Sequence, residues 1–307
     1  MNAEAALCAG CASTVAATIR LVSRNSGSAI ASAAIVAVQL LALQLLSAYP
    51  RSAAVLALSY WALYDSPMKL RRGDYGYDAP LALIGLTSIA ILATILAVSS
   101  WMTPPHRVSR VAVGYAVILG LEAAWYYYGT RHGKFRMWEH ILDGLKLQGS
   151  EHVLDMGCGR GAVLTAVAKR LTTGKVTGVD LWRSLDQSGN SADTTMANAR
   201  AEGVVDRVAV ETADMRRLPF ADHTFDVIVS SLAIHNIPGK AGRAAAVTEA
   251  MRVLKPGGRL AIADVRATSL YARTLRSLGA TAVARGRLGW RFWYGIAMTL
   301  VTATKPG

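Results

Sequence analysis

The chain has 307 residues, 52% of them apolar, with 33 Lys and Arg against 20 Asp and Glu, a net charge of +13 at pH 7. That length holds about two domains, and only three cysteines argue against a small scaffold framed by disulfides. The basic balance points to an anionic lipid surface or to nucleic acid.

In chain order, Cys8 and Cys11 come first, as a Cys-x-x-Cys pair with no second pair or His cluster to complete a metal site. No metal centre is expected. Up to about residue 130 the chain is dominated by Ala, Leu, Ile and Val. Ser28–Tyr49 contains 22 uncharged residues, about 33 Å of helix. Ala79–Met102 contains 24. Val111–Tyr128, interrupted by Glu122, and Ser52–Tyr64 are shorter. The first apolar run starts too late for a signal peptide and lacks a cleavage site. The pattern predicts a transmembrane region over 1–130 with about four spans, at 28–49, 52–66, 79–102 and 111–128. Two spans, with the shorter segments lying on the surface, is the alternative. Arg20, Arg24, Lys69, Arg71, Arg72, Arg131, Lys134 and Arg136 then fall on one side and only Arg51, Arg107 and Arg110 on the other. Excess basic charge marks the cytoplasmic side, so an integral membrane protein is expected, with 131–307 in the cytoplasm. Trp61, Trp101 and Trp125–Tyr128 sit at span ends, where amphipathic aromatics collect.

Residues 131–307 carry 25 basic and 15 acidic side chains, a net +10. Phe135, Trp138, Ile141, Leu142 and Leu145 share one helical stripe, predicting an amphipathic helix over 135–147, which rests on the bilayer or caps a cleft. Short apolar runs then alternate with helical patterns. Strands are predicted at 152–156, 176–180, 208–212, 226–230, 259–263, 281–285 and 296–304. Helices are predicted at 162–171, 192–202, 241–254 and 269–278. This alternation indicates a parallel sheet covered on both faces.

The most informative stretch is Val153-Leu-Asp-Met-Gly-Cys-Gly-Arg-Gly161. An apolar run ends on Asp155, and Gly157, Gly159 and Gly161 precede a helix. Such a turn brings bare backbone against a ligand at a helix N-terminus. Cys158 supplies the small side chain the turn requires. The loop contains no Gly-Lys-Ser/Thr phosphate clamp. Asp180 ends the next strand, where a carboxylate accepts from ribose hydroxyls. Ala213-Asp-Met-Arg-Arg-Leu-Pro-Phe220, Phe225–Ser231 and Arg252-Val-Leu-Lys-Pro-Gly-Gly-Arg-Leu-Ala-Ile-Ala-Asp264 follow. Taken alone, each aspartate also reads as a helix cap or turn residue; their order around one glycine loop favours a shared site.

Motif by motif, residues 132–307 resemble the class I S-adenosylmethionine-dependent methyltransferases of small-molecule and lipid type. The resemblance does not cover the N-terminal half. It implies a Rossmann-like α/β sheet of seven strands, mostly parallel with the last antiparallel, behind the helical membrane region, and so a methyltransferase domain over 131–307. It implies S-adenosyl-L-methionine as cofactor, held by Asp155, Gly157, Cys158, Gly159 and Gly161 at the methionine end and by Asp180 and Leu181 at the ribose and adenine. Asp214 and Met215 would read the adenine edge, and Ser231 would face the transferred methyl. His235, in Ile234-His-Asn236, is the candidate general base; the bland reading has it lining the pocket or bonded to the backbone. The loop after Asp180 is longer than the simplest family pattern, making Asp186, Gln187 and Asn190 candidates for a lid or for plain turns. The signatures for methylating nucleic-acid bases (Asn/Asp-Pro-Pro-Tyr/Phe, Pro-Cys) are absent, so no nucleic-acid partner is expected. The expected partners are the bilayer and a lipophilic small-molecule acceptor such as a quinone or phenol, a lipid or a hydrophobic metabolite. Oxygen leads nitrogen and sulfur as the accepting atom. The oligomeric state is not legible. The rival readings are a non-catalytic cofactor-binding membrane scaffold and a dinucleotide-dependent oxidoreductase.

Overall fold

The computed structural model describes residues 71–101, 107–183, 186–289 and 297–307. The spans expected at 28–49 and 52–66, the Cys8–Cys11 pair and the aromatic cluster 290–294 lie outside these residues. Two compact units are present. One includes Ala82–Ala124; the other joins Arg71–Leu81 to Trp125–Gly307.

Helix α1 (Pro80–Trp101) and helix α2 (Arg107–Tyr128) answer the runs expected at 79–102 and 111–128. Each has 22 residues, about 33 Å at the helical rise. By length and composition, two helices among the described residues can cross a membrane. Most of their large side chains are exposed, including Ile84, Leu92 and Val98 of α1 and Val111 and Ile118 of α2.

A π-helical turn, Gly129–Gly133, separates α2 from α3 (Lys134–Leu145). The predicted stripe is the buried one: Phe135, Trp138, Ile141, Leu142 and Leu145 all face inward. Lys146 ends α3 in the left-handed conformation, two residues before the predicted end.

The described residues then form a seven-stranded sheet in the order β3-β2-β1-β4-β5-β7-β6. Its strands are β1 (His152–Met156), β2 (Lys175–Asp180), β3 (Val208–Thr212), β4 (Phe225–Ser231), β5 (Leu254–Asp264), β6 (Thr281–Arg287) and β7 (Thr299–Thr304). Pairing is parallel from β3 through β5, while β7 runs antiparallel between β5 and β6, as the resemblance implied. β5 is longer than expected. Leu254 pairs with Phe225 before Arg259 pairs with Val227, so Lys255–Gly258 bulge out and the ladder resumes beyond them.

The central strands carry near-continuous apolar runs because both faces are covered. Val153, Leu154, Val227, Ile228 and Val229 are fully buried. The covering helices are α4 (Ala162–Ala168), α5 (Ala192–Ala201), α6 (Gly239–Val253) and α7 (Thr268–Ser277). Ser191 caps α5 by accepting from the Thr194 amide at 3.1 Å. α4 stops three residues short of its predicted end because Arg170 and Leu171 donate to carbonyls three residues back and the chain turns.

Strand order reverses at β1, with β2 and β3 on one side and β4 and β5 on the other. A crevice beyond the carboxyl ends of β1 and β4 follows from that switch.

Candidate cofactor cleft

The crevice is a cleft of ≈ 1130 Å³, including its open mouth. Of the sequence-predicted residues, Asp155, Gly157, Cys158, Gly159, Asp180, Leu181, Asp214, Met215 and Ser231 line it; Gly161 and His235 do not. The loop residues Asp186, Gln187 and Asn190 also line it.

The glycine turn is fixed by strand β2, whose Val179 carbonyl accepts from the amides of Gly157 and Cys158 at 2.8 and 3.1 Å. The turn is crowded at two of its glycines. A Cβ on Gly157 would lie 2.1 Å from the Ala233 Cβ, and one on Gly159 would lie 2.4 Å from Gln187 Oε1. Gly161 instead starts α4 at φ 82°. The Cys158 side chain is buried over Gly178, and burial together with Asp155 and Asp180 pushes its thiol up. It packs the turn and is not a ready nucleophile.

Asp155 lies next to Met156, the last residue of β1, with 1% of its surface exposed, and neither carboxylate oxygen has an aligned hydrogen-bond donor. Burial, reinforced by the charge of Asp180, pushes its carboxyl up to about 8, and the nearby Leu164 amide offsets this only partly. A buried carboxylate without donors is costly unless a cation or donor meets it.

Asp180 is held open by its own loop. Its Oδ2 accepts from the Gly159 amide at 2.9 Å, and Oδ1 accepts from the Trp182 amide at 2.6 Å and Asn190 Nδ2 at 3.2 Å. A carboxylate offers about four acceptor positions, so capacity remains. Trp182, the neighbour of Leu181, does not line the cleft: its indole donates to Thr212 Oγ1 at 2.7 Å.

Asp214 is gripped by the fork of Arg216, whose Nε and Nη2 donate to its oxygens at 2.5–3.0 Å. This grip holds the Asp214 carboxyl below its usual range. Both residues line the cleft, and Arg216 is a competitor for the acceptor that the sequence reading reserved for an amine.

The other wall comes from α3 and the turn after β4. Trp138 Nε1 donates to Ser231 Oγ at 2.8 Å, and Phe135, Leu232, Ile237 and Pro238 add apolar surface. Ser230, its neighbour, is buried and donates to the Met156 carbonyl. His235 sits in a short 3-10 turn, Ile234–Asn236. Its Nδ1 lies 2.6 Å from Asp264 Oδ1, close but off the N–H axis. Asp264 is fully buried and also accepts from the Tyr271 hydroxyl at 3.1 Å and the Val265 amide at 2.7 Å. Burial and the Asp264 charge push the Tyr271 hydroxyl well up, keeping it a donor.

Four charged lining residues were not among the predicted site residues: Asp78, Lys134, Arg183 and Arg216. In the sequence Lys134 stands out only as one of the basic residues beside the spans, and Asp78 does not stand out at all. No local pattern marks either.

Residues 154–262 match the family model described as a methyltransferase domain. Methyltransferase GfsG of Streptomyces halstedii is 36% identical over 42% of this chain. The sterol 4-C-methyltransferase strm-1 of Caenorhabditis elegans is 34% identical over 43% of it. The demethylmenaquinone methyltransferase of Lactiplantibacillus plantarum is 35% identical over 42% of it. The chain spans 43%, 36% and 51% of these relatives' own lengths.

Proposed function

We propose that the protein transfers a methyl group from S-adenosylmethionine to a small lipophilic acceptor at a membrane surface. The carrying observation is Asp155, a buried carboxylate with no aligned hydrogen-bond donor, beside a glycine turn in which a Cβ on Gly157 would collide with Ala233. The donor's ammonium supplies the missing partner, and the bare turn admits its methionine end. Asp180 keeps acceptor capacity for ribose hydroxyls. Asp214 can read the adenine amine once Arg216 shares it. Gly161 acts by starting α4 rather than by touching the ligand.

When bound, the cofactor supplies an electrophilic methyl on a cationic sulfur, open to in-line displacement. The protein's own task is then alignment and the exclusion of water. Trp138, pinned to Ser231, and the apolar residues around it suit a flat, lipophilic acceptor. Relatives named for demethylmenaquinone and sterol methylation favour that class. For an oxygen acceptor, His235 is the candidate base, with Asp264 orienting its ring; since His235 is not in the cleft wall, the acceptor has to approach it past Asn236. The apolar helices α1 and α2 and the net +10 of residues 131–307 support attachment to a membrane surface, and the basic residues flanking these helices (Arg71, Arg72, Arg131, Lys134 and Arg136) favour a catalytic unit in the cytoplasm.

The test is incubation of the detergent-solubilised full chain with methyl-labelled donor and total membrane lipids. Label appearing in a lipid-soluble product supports the proposal. A folded protein that binds the donor yet labels nothing favours a non-catalytic module.

A further inference from the structure

Residues 71–78, which precede α1 and lie outside the matched segment 154–262, pack as a strap against α4, α5, the glycine turn and the loop 186–190, and its last residue, Asp78, lines the cleft. The strap and the loop 186–190 meet in a single antiparallel bridge. The Ala79 amide donates to the Asp186 carbonyl at 3.0 Å and the Ser188 amide to the Tyr77 carbonyl at 3.2 Å, with Asp78 opposite Gln187. The approach is close: a Cβ on Gly76 would lie 2.7 Å from Ser188 Oγ.

The strap is fastened along its length. Asp74 exchanges hydrogen bonds with Asn198 of α5, its amide donating to Oδ1 and its carbonyl accepting from Nδ2, each at 2.8 Å. Arg160, inside the glycine turn, donates to the Asp74 carboxylate and carbonyl at 2.9 Å and to the Ser188 carbonyl at 2.7 Å. One guanidinium thus ties glycine turn, strap and loop together. The Tyr75 hydroxyl meets Thr165 of α4 at 2.8 Å and Glu202 at 3.0 Å.

Asp78 is the strap residue that reaches the cleft. Its carboxylate accepts from Lys134 Nζ at 3.1 Å on both oxygens, from Thr130 Oγ1 at 3.1 Å and from Gln187 Nε2 at 2.9 Å. Lys134 is 5% exposed and lines the cleft. Gln187 turns its Oε1 to the Arg160 amide at 2.7 Å and overlies Gly159.

We propose that Asp78 is a positioning residue of the cofactor cleft: through the strap it fixes Lys134 and Gln187 and holds the loop 186–190 over the glycine turn. The segment between two apolar stretches is thereby part of the ligand site and not a bare connector. This inference rests on the reading of the cleft as the S-adenosylmethionine site.

The test uses the full chain in detergent and titrates S-adenosylhomocysteine into wild type, Asp78→Asn and Gln187→Leu, alongside hydrogen exchange of residues 186–190 in the ligand-free proteins. Loss of charge at Asp78 leaves a buried ammonium unpaired, and both variants are expected to raise Kd by about tenfold or more at unchanged stoichiometry. Asp78→Asn should also speed exchange of the loop. A double variant is expected to show less than the product of the two effects, because both act through one contact. If Asp78→Asn fails to fold, Gln187→Leu carries the same expectation. Kd within about twofold of wild type, or fewer competent molecules at unchanged Kd, would overturn the inference. A wild-type protein that binds no S-adenosylhomocysteine overturns the reading of the cleft itself.

Discussion

His235 Nδ1 lies 2.6 Å from Oδ1 of Asp264, a carboxylate with no exposed surface. The same carboxylate accepts from the Tyr271 hydroxyl, so three elements (the turn after β4, the end of β5 and α7) converge on one buried charge. A charge so placed can orient an imidazole as a base, or simply lock the turn.

Substitution separates the two roles. If His235 takes a proton from an oxygen acceptor, His235→Asn is expected to lower kcat by about 10²–10⁴-fold with donor affinity retained. A loss below tenfold would leave the histidine with a locking role. Tyr271→Phe removes one donor to Asp264 and is expected to cost about 1 kcal/mol in thermal or denaturant unfolding.

Asp155 sets a pH dependence of stability. Its folded-state carboxyl, pushed up to about 8, lies above the unfolded value near 3.8. The native state therefore holds that proton more tightly. The stabilisation is fully present below pH 4 and lost as pH rises through 8. Asp155→Asn should consequently melt higher than wild type at pH 9 by at least about 2–4 °C. Equal melting temperatures at pH 9 would contradict this.

Arg216 is expected to compete with the ligand for Asp214. Removing the fork in Arg216→Ala should tighten S-adenosylhomocysteine binding by roughly two- to fivefold, whereas Asp214→Ala should weaken it. A weaker complex with Arg216→Ala would instead make the arginine a ligand contact.

Lys305 holds the far end of α6. Its Nζ donates to the carbonyls of Met251 and Arg252 in the last turn, at 2.6 and 3.3 Å, and of Leu254 just beyond it at 2.7 Å. Lys305→Met is expected to destabilise the fold by about 1–3 kcal/mol, with ligand affinity unchanged. Calorimetric melting measures the first and titration the second.

The legible features of this chain are local ones. β1 and β3 begin and end where their apolar runs do, and Asp155, Asp180 and Asp214 stand at strand ends that the alternation of elements placed in order. Elements whose ends depend on partners were misjudged. β5 was expected only from Arg259, yet Leu254 is already paired with Phe225 across the bulge. The strap left no trace in the sequence, because Tyr77 and Ser188 are 111 residues apart, and neither the Ser188 amide donating to the Tyr77 carbonyl nor the Tyr77 amide donating to Ser188 Oγ is marked by a local pattern. Trp182 and His235 follow site motifs in the sequence, but nothing in the motifs encodes that hydrogen bonds to Thr212 and contact with Asp264 turn them aside.

The central claim is that the orphaned carboxylate of Asp155 receives a cationic nucleoside ligand. Titration calorimetry of S-adenosylmethionine at pH 7, repeated in buffers of different ionisation enthalpy, tests it most directly. Binding should release a proton, because the ligand's ammonium favours the ionised carboxylate, and Asp155→Asn should abolish the release and weaken binding. Saturable binding with no proton release and no loss on Asp155→Asn, or no binding by protein that melts cooperatively, would contradict the account.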